Sequence, residues 1–240
     1  MTKNILLTGA SSGIGRAILN RLLADGYTVY GVGRCFSPET EPAPADFSNP
    51  AFIKIEMDMT RTGPFYEYIR NLAKTVEFCG LINNAGVGYY GLHETLSPAK
   101  IHEMVTVNLE VPMVLTQLLL RNLKKNQGHI IDISSVTARQ SNPHGCAYGA
   151  TKAGLTSFTG SLFDEARKYG VHVTAIHPDM VKTNLYRNAD FCEGEAQDTY
   201  LIPEQVAEAV AYVLNAPKTM TVSDVTLRPQ KHQIRKKGRP

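Results

Sequence analysis

Long apolar runs are missing from this sequence of 240 residues. No apolar stretch reaches the ~18 residues that a membrane-spanning helix needs, so the sequence predicts no contact with a membrane. The first residues enter a strand-like run at once, without the basic and apolar flanks of a secretory signal peptide. We therefore expect a soluble protein with a cytoplasmic location.

Cysteine is scarce, and its four residues follow no recognisable spacing: Cys35, Cys79, Cys146 and Cys192. The sequence contains no C-x-x-C pair and no cluster with the spacing of metal ligands. Neither a disulfide framework nor a zinc site is expected, and free thiols in a reducing compartment are the predicted state.

Internal repeats and linkers are also absent, and the composition is that of one folded domain. Apolar residues make up 43% of the chain and charged residues 20%, so the chain can bury a full core. Short strand-like runs alternate with helical periods along the chain. We predict a single α/β domain over residues 1–227.

Positive charge is concentrated in the tail, residues 228–240. Six of the 25 Lys and Arg residues and no acid lie there, which leaves 19 basic against 22 acidic residues in the remainder. A solvated, partly disordered terminus is the favoured interpretation of this tail. Contact with nucleic acid or an anionic surface is the alternative.

A glycine-rich turn follows the first predicted strand. The apolar run 3–8 breaks at Gly9, Gly13 and Gly15, and a helical period then continues as far as Asp25. In the order strand, glycine turn and helix, backbone N–H groups and the positive helix end face an anion, and glycine lets a pyrophosphate approach. The spacing G-x-x-x-G-x-G differs from the general dinucleotide fingerprint, and a tight turn without a ligand is the alternative.

The end of the second predicted strand, residues 27–33, bears on the choice of nucleotide. Gly33 stands where an acid would accept hydrogen bonds from a ribose 2′-OH, and Arg34 follows it. A guanidinium binds phosphate through two donors at once, so Arg34 favours NADP over NAD. After the next strand, Asp58 is positioned either to contact the adenine or to cap the following helix.

Polar residues follow three further predicted strands, at 83–86, 134–135 and 177–183. Ligands of open α/β folds bind at this carboxyl edge of the sheet. Strand-end hydroxyls are also common turn formers, which is the stronger interpretation of Ser135 taken alone.

A long helix is predicted from Pro98 to about Lys125, with Asn108 on its mostly apolar face. A buried asparagine needs hydrogen-bond partners, so we expect a local kink with a water near Asn108. Pro112 is an alternative cause of any kink.

Tyr148 and Lys152 are four residues apart in a predicted helix, so their side chains share one face. An ammonium one turn away favours the phenolate, and a pKa lowered by roughly 3 units corresponds to about 4 kcal/mol. The pair would then exchange a proton with a carbonyl or alcohol oxygen near neutral pH. An ordinary solvated helix face is the alternative.

Taken together, these motifs resemble the short-chain dehydrogenase/reductase family in its classical form, over about residues 3–227. The resemblance rests on the segment from Thr8 to Gly15, the segment 83–86, Asn108, Ser135, and the Tyr148-x-x-x-Lys152 pair. It implies a three-layer, doubly wound Rossmann fold with a seven-stranded parallel sheet in the order 3-2-1-4-5-6-7. It also implies a homotetramer or homodimer.

The resemblance assigns a role to each matching residue. Tyr148 is expected to be the general acid or base, Ser135 to bind the substrate oxygen, and Lys152 to hold the nicotinamide ribose. Asn108 is expected to support a water that links Lys152 to solvent. The expected cofactor contacts are Gly9, Ser11, Ser12, Gly13, Ile14, Gly15, Arg34, Asp58, Asn84, Ala85, Gly86, Tyr148, Lys152, Pro178 and Thr183.

One position departs from the family pattern, because Asp179 stands where the usual Pro-Gly pair has glycine. An acid there could alter loop geometry or substrate preference. Residues 184–202, which lack a clear periodicity, are predicted to form a substrate lid. The side chains that could line the substrate pocket are Tyr89, Tyr90, His93, His144, Tyr186, Arg187 and Phe191.

The expected function is an NADP-dependent oxidoreductase acting on a small-molecule ketone, aldehyde or secondary alcohol. A regulator that senses NADP(H) without turnover and reaches nucleic acid through its basic tail is the alternative. An epimerase or dehydratase is disfavoured by the glycine spacing and the short C-terminal region.

Overall fold

Short apolar runs form the strands of the central sheet, because a chain segment buried on both sides must pair all of its backbone groups. The computed structural model describes residues 3–36 and 47–237. We expect a surface loop over residues 35–51 from their prolines and lack of periodicity, and most of it lies outside the described residues. The strands of the sheet are β1 (Asn4–Thr8), β2 (Thr28–Gly33), β3 (Phe52–Glu56), β4 (Gly80–Asn83), β5 (His129–Ile133), β6 (His172–Pro178) and β8 (Asp224–Leu227).

These seven strands are parallel and lie in the order β3-β2-β1-β4-β5-β6-β8. The predicted strand order 3-2-1-4-5-6-7 is confirmed, except that the last strand of the sheet is the eighth strand of the chain. A three-residue strand that the sequence did not reveal, β7 (Phe191–Glu193), precedes it and pairs antiparallel with β9 (Ile234–Lys236). The tail that the sequence predicts to be solvated and partly disordered therefore contains a strand, β9.

Helices cover both faces of the sheet and complete the three predicted layers. On one face, α1 (Gly13–Ala24) and α6 (Pro203–Leu214) share an apolar core with the inner strands. On the other face lie α2 (Thr62–Thr75), α4 (Val111–Asn126) and α5 (Cys146–Ala166). Ile5, Leu6 and Leu7 of β1 are fully buried, as expected for a strand between two helical layers.

The helix predicted from residue 98 has a wider segment in its middle. It consists of α3 (Pro98–Val105), a π-helical segment (Thr106–Glu110) and α4. Pro112 has no N–H to donate to the carbonyl of Asn108, so the regular helical bond is missing where the helix widens.

By length and composition, the continuous stretch Pro98–Asn126 could cross a membrane, with a mean hydropathy of 1.3 over its most apolar window. Half of that window is buried inside the protein. Its buried leucines, Leu115, Leu119 and Leu123, belong to the core beneath the sheet. The stretch is therefore a core helix, and burial in the core accounts for its apolar composition.

Candidate active site

A cleft with about 800 Å³ of open space lies at the carboxyl edge of the sheet. The ends of β1, β4, β5 and β6 reach it, together with one face of α5 and the segment after β6. Most of the predicted site residues line it: Ser12, Gly13, Ile14, Gly15, Asn84, Ala85, Gly86, Ser135, Tyr148, Lys152, Pro178 and Thr183. Others lie outside its lining: Gly9, Ser11, Arg34, Asp58 and Asn108.

The glycine turn is shaped so that only glycine fits two of its positions. Gly9 has a φ of +69°, in the left-handed region. A Cβ on Gly15 would lie 1.9 Å from the Gly9 carbonyl oxygen, which no side chain can tolerate. Helix α1 begins within this turn, at Gly13, and Ser12 to Gly15 line the edge of the cleft.

Asn84 holds the glycine turn in place from the neighbouring strand. Its Nδ2 donates to the carbonyl oxygen of Thr8 at 2.9 Å, and its backbone N–H donates to Thr8 Oγ1 at 3.0 Å. Ala85 N–H donates to the same hydroxyl at 3.0 Å. The segment predicted as a cofactor contact therefore also fixes the turn between β1 and α1.

Arg34 is exposed at the end of β2, where the sequence placed it. Asp58, after β3, accepts hydrogen bonds on Oδ1 from Thr60 N at 2.9 Å and Thr60 Oγ1 at 2.8 Å. The backbone bond from Thr60 lowers the pKa of Asp58, and the charge of Arg34 contributes. These contacts form a turn ahead of α2, whose N-cap is Arg61 without a side-chain capping bond, so Asp58 does not cap the helix.

Arg16 is a charged residue that the sequence analysis missed. It is only 3% exposed, and none of its guanidinium nitrogens has a hydrogen-bond partner within residues 3–36 and 47–237. The guanidinium lies 5.2 Å from the ring centre of Phe47, which packs on Phe36 beside Gly33 at the end of β2. The sequence signal for Arg16 was its position four residues after Ser12, one helical turn into α1.

Tyr148 and Lys152 lie on the buried face of α5, as their spacing predicted. The Lys152 ammonium donates to the Ile133 carbonyl oxygen at 2.8 Å and lies 5.9 Å from the centre of the Tyr148 ring. The predicted lowering of the Tyr148 pKa is wrong for this arrangement. Burial raises the pKa of Tyr148 to about 12, and a hydrogen bond with Ser135 only partly opposes the increase.

Lys152 is 3% exposed, and burial lowers its pKa to about 8. The carboxyl group of Asp132, deep in β5, opposes this shift. An ammonium with this pKa is mostly charged at pH 7 and still close enough to titration to release a proton. At neutral pH the site therefore contains a protonated Tyr148 phenol and a Lys152 ammonium whose pKa lies only about one unit above the pH.

Ser135 follows β5 and serves two purposes. Its Oγ accepts from Thr137 N at 3.2 Å and from Thr137 Oγ1 at 3.0 Å, which forms the turn expected of a strand-end hydroxyl. The same side chain lies in the cleft and hydrogen-bonds Tyr148. Ser135 therefore forms a turn and also lines the cleft, so the two interpretations of this residue do not exclude each other.

Asn108 is completely buried in the π-helical segment. Its side-chain amide forms the hydrogen bonds that a buried polar group requires. Its Oδ1 accepts from Val87 N at 2.9 Å, and its Nδ2 donates to Val87 O at 2.9 Å and to Thr151 Oγ1 at 3.1 Å. These contacts tie the segment after β4 to α5. Asn108 Oδ1 and Lys152 Nζ both lie next to Gly86, at 3.6 Å and 3.7 Å from where its Cβ would be.

The segment after β6 closes the cleft from the other side. Thr183 Cγ2 would lie 3.2 Å from a Cβ on Gly13, so this threonine packs directly against the glycine turn. Asp179, at the position that departs from the family pattern, also lines the cleft and accepts from Met180 N at 2.8 Å.

Aromatic rings surround Tyr148 on its open side. Tyr90 lies 5.6 Å from the Tyr148 ring centre, and it also contacts Tyr186 at 5.7 Å and Phe191 at 5.2 Å. The phenol is therefore screened from water, which is the cause of its raised pKa. Of the other side chains predicted for the pocket, Arg187 lines the cleft and His144 is exposed.

Comparison with known proteins agrees with this geometry. The family model described as short chain dehydrogenase matches residues 3–191. An uncharacterized oxidoreductase of Staphylococcus epidermidis is 31% identical over 229 residues, covering 95% of this chain and 97% of that protein. In Mus musculus, dehydrogenase/reductase SDR family member 11 is 31% identical, covering 93% of each chain.

Among solved structures, an alcohol dehydrogenase of the archaeon Thermococcus sibiricus, complexed with 5-hydroxy-NADP, superposes with a TM-score of 0.83. It is 25% identical, and the match covers 97% of this chain and 99% of that one. The agreement extends over the whole sheet and both helical layers. This chain is a member of the short-chain dehydrogenase family.

Proposed function

We propose that this protein is an NADP-dependent oxidoreductase that transfers hydride between the nicotinamide and a ketone, an aldehyde or a secondary alcohol. The observation that carries the proposal is the meeting of Ser135, Tyr148 and Lys152 in one cleft with the glycine turn. These groups come from β5 and α5, so the fold itself brings them together. A hydroxyl, a phenol and an ammonium around one small space suit an oxygen that gains negative charge.

The nicotinamide supplies the hydride when it is bound. The chain's own groups manage the substrate oxygen: Tyr148 donates a proton to it, and Ser135 donates a hydrogen bond. Because burial keeps the proton on Tyr148 at neutral pH, the site is prepared for carbonyl reduction. Alcohol oxidation needs the phenolate and is favoured at higher pH.

Lys152 has a second function in this proposal. Its ammonium has three N–H donors, and within residues 3–36 and 47–237 one of them is used, by the Ile133 carbonyl, so the others can hold the hydroxyls of the nicotinamide ribose. Its charge also stabilises Tyr148 after proton loss. Asn108 accepts only one hydrogen bond on Oδ1 from the described residues, which leaves a lone pair for a water leading to Lys152.

The residues at the cleft edge fit a dinucleotide. A side chain at Gly9 or Gly15 would collide with Asn84, Ala85 or the Gly9 carbonyl, so these glycines keep the turn tight. The N-terminus of α1 lies at the cleft edge and offers backbone N–H groups to a phosphate. In the proposed complex, Ser11, Ser12, Gly13 and Ile14 contact the phosphates, and Asn84, Ala85 and Gly86 border the ribose. Pro178 and Thr183 border the nicotinamide, and Asp58 the adenine.

The preference for NADP rests on two arginines near the end of β2. Arg34 is exposed beside Gly33, where its guanidinium can bind a phosphate through two donors at once. Arg16 supplies a second guanidinium in the adjoining aromatic cluster, where it lacks a partner among the described residues. A buried cation without a partner is costly, so a bound 2′-phosphate nearby would lower the energy of the protein.

The lid, residues 184–202, is proposed to cover a substrate placed against Tyr148. Tyr186 and Phe191 of this lid already contact the aromatic cluster around the phenol. We further propose a cytoplasmic enzyme that works as a homodimer or homotetramer, as the family resemblance implies.

The test is a panel of small ketones and aldehydes mixed with the pure protein and NADPH. We expect a change in NADPH fluorescence on binding, and NADPH oxidation with at least one member of the panel. Inertness toward the whole panel, together with no fluorescence change, would contradict the proposal. Arg34→Asp tests the cofactor, because an unchanged preference for NADPH over NADH would mean that the 2′-phosphate is recognised elsewhere.

A further inference from the structure

The described part of the basic tail, residues 228–237, returns across the lid. After β8, the chain turns at the mouth of the cleft, where Asp179 N donates to Leu227 O at 2.9 Å. Residues 231–237 then run alongside the outer part of the lid. The positive charge noted in the sequence is therefore placed against the substrate side of the protein.

Backbone hydrogen bonds join the two segments along their length. Strand β9 pairs with β7 in the register Phe191 to Lys236, Cys192 to Arg235 and Glu193 to Ile234. Three further backbone bonds continue the contact: Lys231 N to Asp198 O at 2.9 Å, Gly194 N to Gln233 O at 3.1 Å and Lys237 N to Asp190 O at 2.7 Å.

Side chains of the tail reinforce this pairing with opposite charges. The Arg235 guanidinium lies 2.6 Å from Glu195 Oε1, and Lys231 Nζ lies 2.8 Å from Asp198 Oδ2. Lys237 Nζ donates to the carbonyl oxygen of Tyr186 at 2.6 Å. The last contact reaches a lid residue whose ring belongs to the aromatic cluster around Tyr148.

The lid's base is held independently of the tail. Val181 and Leu201 form an isolated bridge, with Lys182 N donating to Leu201 O at 2.8 Å and Leu201 N to Met180 O at 2.8 Å. The outer part has no such partner in the sheet, and its backbone is paired by the tail. Removing the tail would therefore free the outer part and leave the base in place.

We propose that residues 231–237 are a clasp that positions the lid over Tyr148 and thereby controls substrate binding. The tail touches neither Tyr148 nor Lys152 in the described residues, so it acts through Tyr186 and Phe191. A ladder of three residues on each strand is marginal by itself, and Ile234 in it is 52% exposed. The clasp can therefore open to admit substrate without unfolding of the domain. The clasp rests on the proposed function in one respect, namely that a substrate binds beneath the lid.

The experiment compares the wild type with Arg235→Glu, Glu195→Arg, the double variant, and a chain ended after residue 230. Hydrogen exchange of the peptide 184–200, measured by mass spectrometry, reports lid opening without any substrate. Exchange in that peptide is expected to rise about fivefold in each single variant and at least tenfold in the shortened chain, while exchange in α1 stays unchanged. The double variant is expected to return within twofold of the wild type. Arg167→Glu, which breaks the remote Arg167–Asp164 pair, is the matched charge control.

Activity provides the second readout. With a substrate found in the panel, each single variant is expected to raise KM at least threefold while kcat and NADPH affinity change less than twofold. A purely structural tail would instead change lid and α1 exchange together. Unchanged lid exchange in both single variants, or a double variant no better than the singles, would overturn the proposal. If no panel member reacts, lid exchange still decides the clasp, so failure of the clasp and failure of the proposed function are distinguishable.

Discussion

The buried carboxyl group of Asp132 allows the energetics of the site to be tested against pH. Asp132 is 0% exposed, and its oxygens accept from Asn83 Nδ2 and Thr159 Oγ1, each at 2.7 Å. Thr159 has only one hydroxyl proton, and it also lies 2.7 Å from the Leu155 carbonyl oxygen. A protonated Asp132 removes this competition, because its O–H donates to Thr159 and Thr159 donates to Leu155.

Burial raises the pKa of Asp132 to about 6, from an ordinary value of 3.8. The folded protein thus holds this proton more tightly than the unfolded chain does. Its contribution to stability is fully present below about pH 4 and is lost as the pH rises through about 6. A shift of this size corresponds to about 3 kcal/mol.

Asp132→Asn mimics the protonated acid, since an amide N–H also donates to Thr159 and the amide oxygen still accepts from Asn83. Relative to the wild type, the variant should gain about 3 kcal/mol of unfolding free energy between pH 4 and pH 7. Urea unfolding at several pH values in this range measures the difference. Asp164→Asn, which changes an exposed carboxyl on α5, is the control. A difference between variant and wild type that does not change with pH would refute the reasoning.

Three other substitutions probe separate parts of the account. Gly15→Ala should abolish NADPH binding, measured by fluorescence, because its Cβ would lie 1.9 Å from the Gly9 carbonyl oxygen. Arg16→Met should raise the unfolding free energy by roughly 1–3 kcal/mol, since it removes a buried charge that has no partner within residues 3–36 and 47–237, while NADPH affinity falls and NADH affinity does not. Asn108→Ala should cost about 3 kcal/mol in chemical denaturation, because Val87 N–H and C=O lose their partner. NADPH binding by the first variant, a lower melting temperature of the second, or unchanged stability of the third would contradict the corresponding argument.

The sheet and the site could be predicted because their signals are local. A strand followed by the turn from Gly9 to Gly15 has few structural alternatives, and the i, i+4 spacing of Tyr148 and Lys152 places both on one face of any helix. The parallel order then brings the ends of separate strands to one edge. Such features depend on neighbours within a few residues, which a sequence displays directly.

The missed features depend on residues far apart in the chain. Strands β7 and β9 are three residues each and show no periodicity, so their pairing exists only because the tail returns to the lid. The raised pKa of Tyr148 follows from rings contributed by Tyr90 and from burial against the sheet, neither of which the helix spacing reveals. Likewise, Arg16 looks like an ordinary helix charge until its burial is known.

The central claim is that the Tyr148 hydroxyl delivers the proton to the substrate oxygen in the cleft that holds the nucleotide. The most direct measurement compares Tyr148→Phe with the wild type for both NADPH affinity and NADPH oxidation by the best carbonyl of the panel. The account predicts an affinity within a few fold of the wild type and a loss of turnover of about 10²–10⁴-fold. Turnover that survives without the hydroxyl would contradict it.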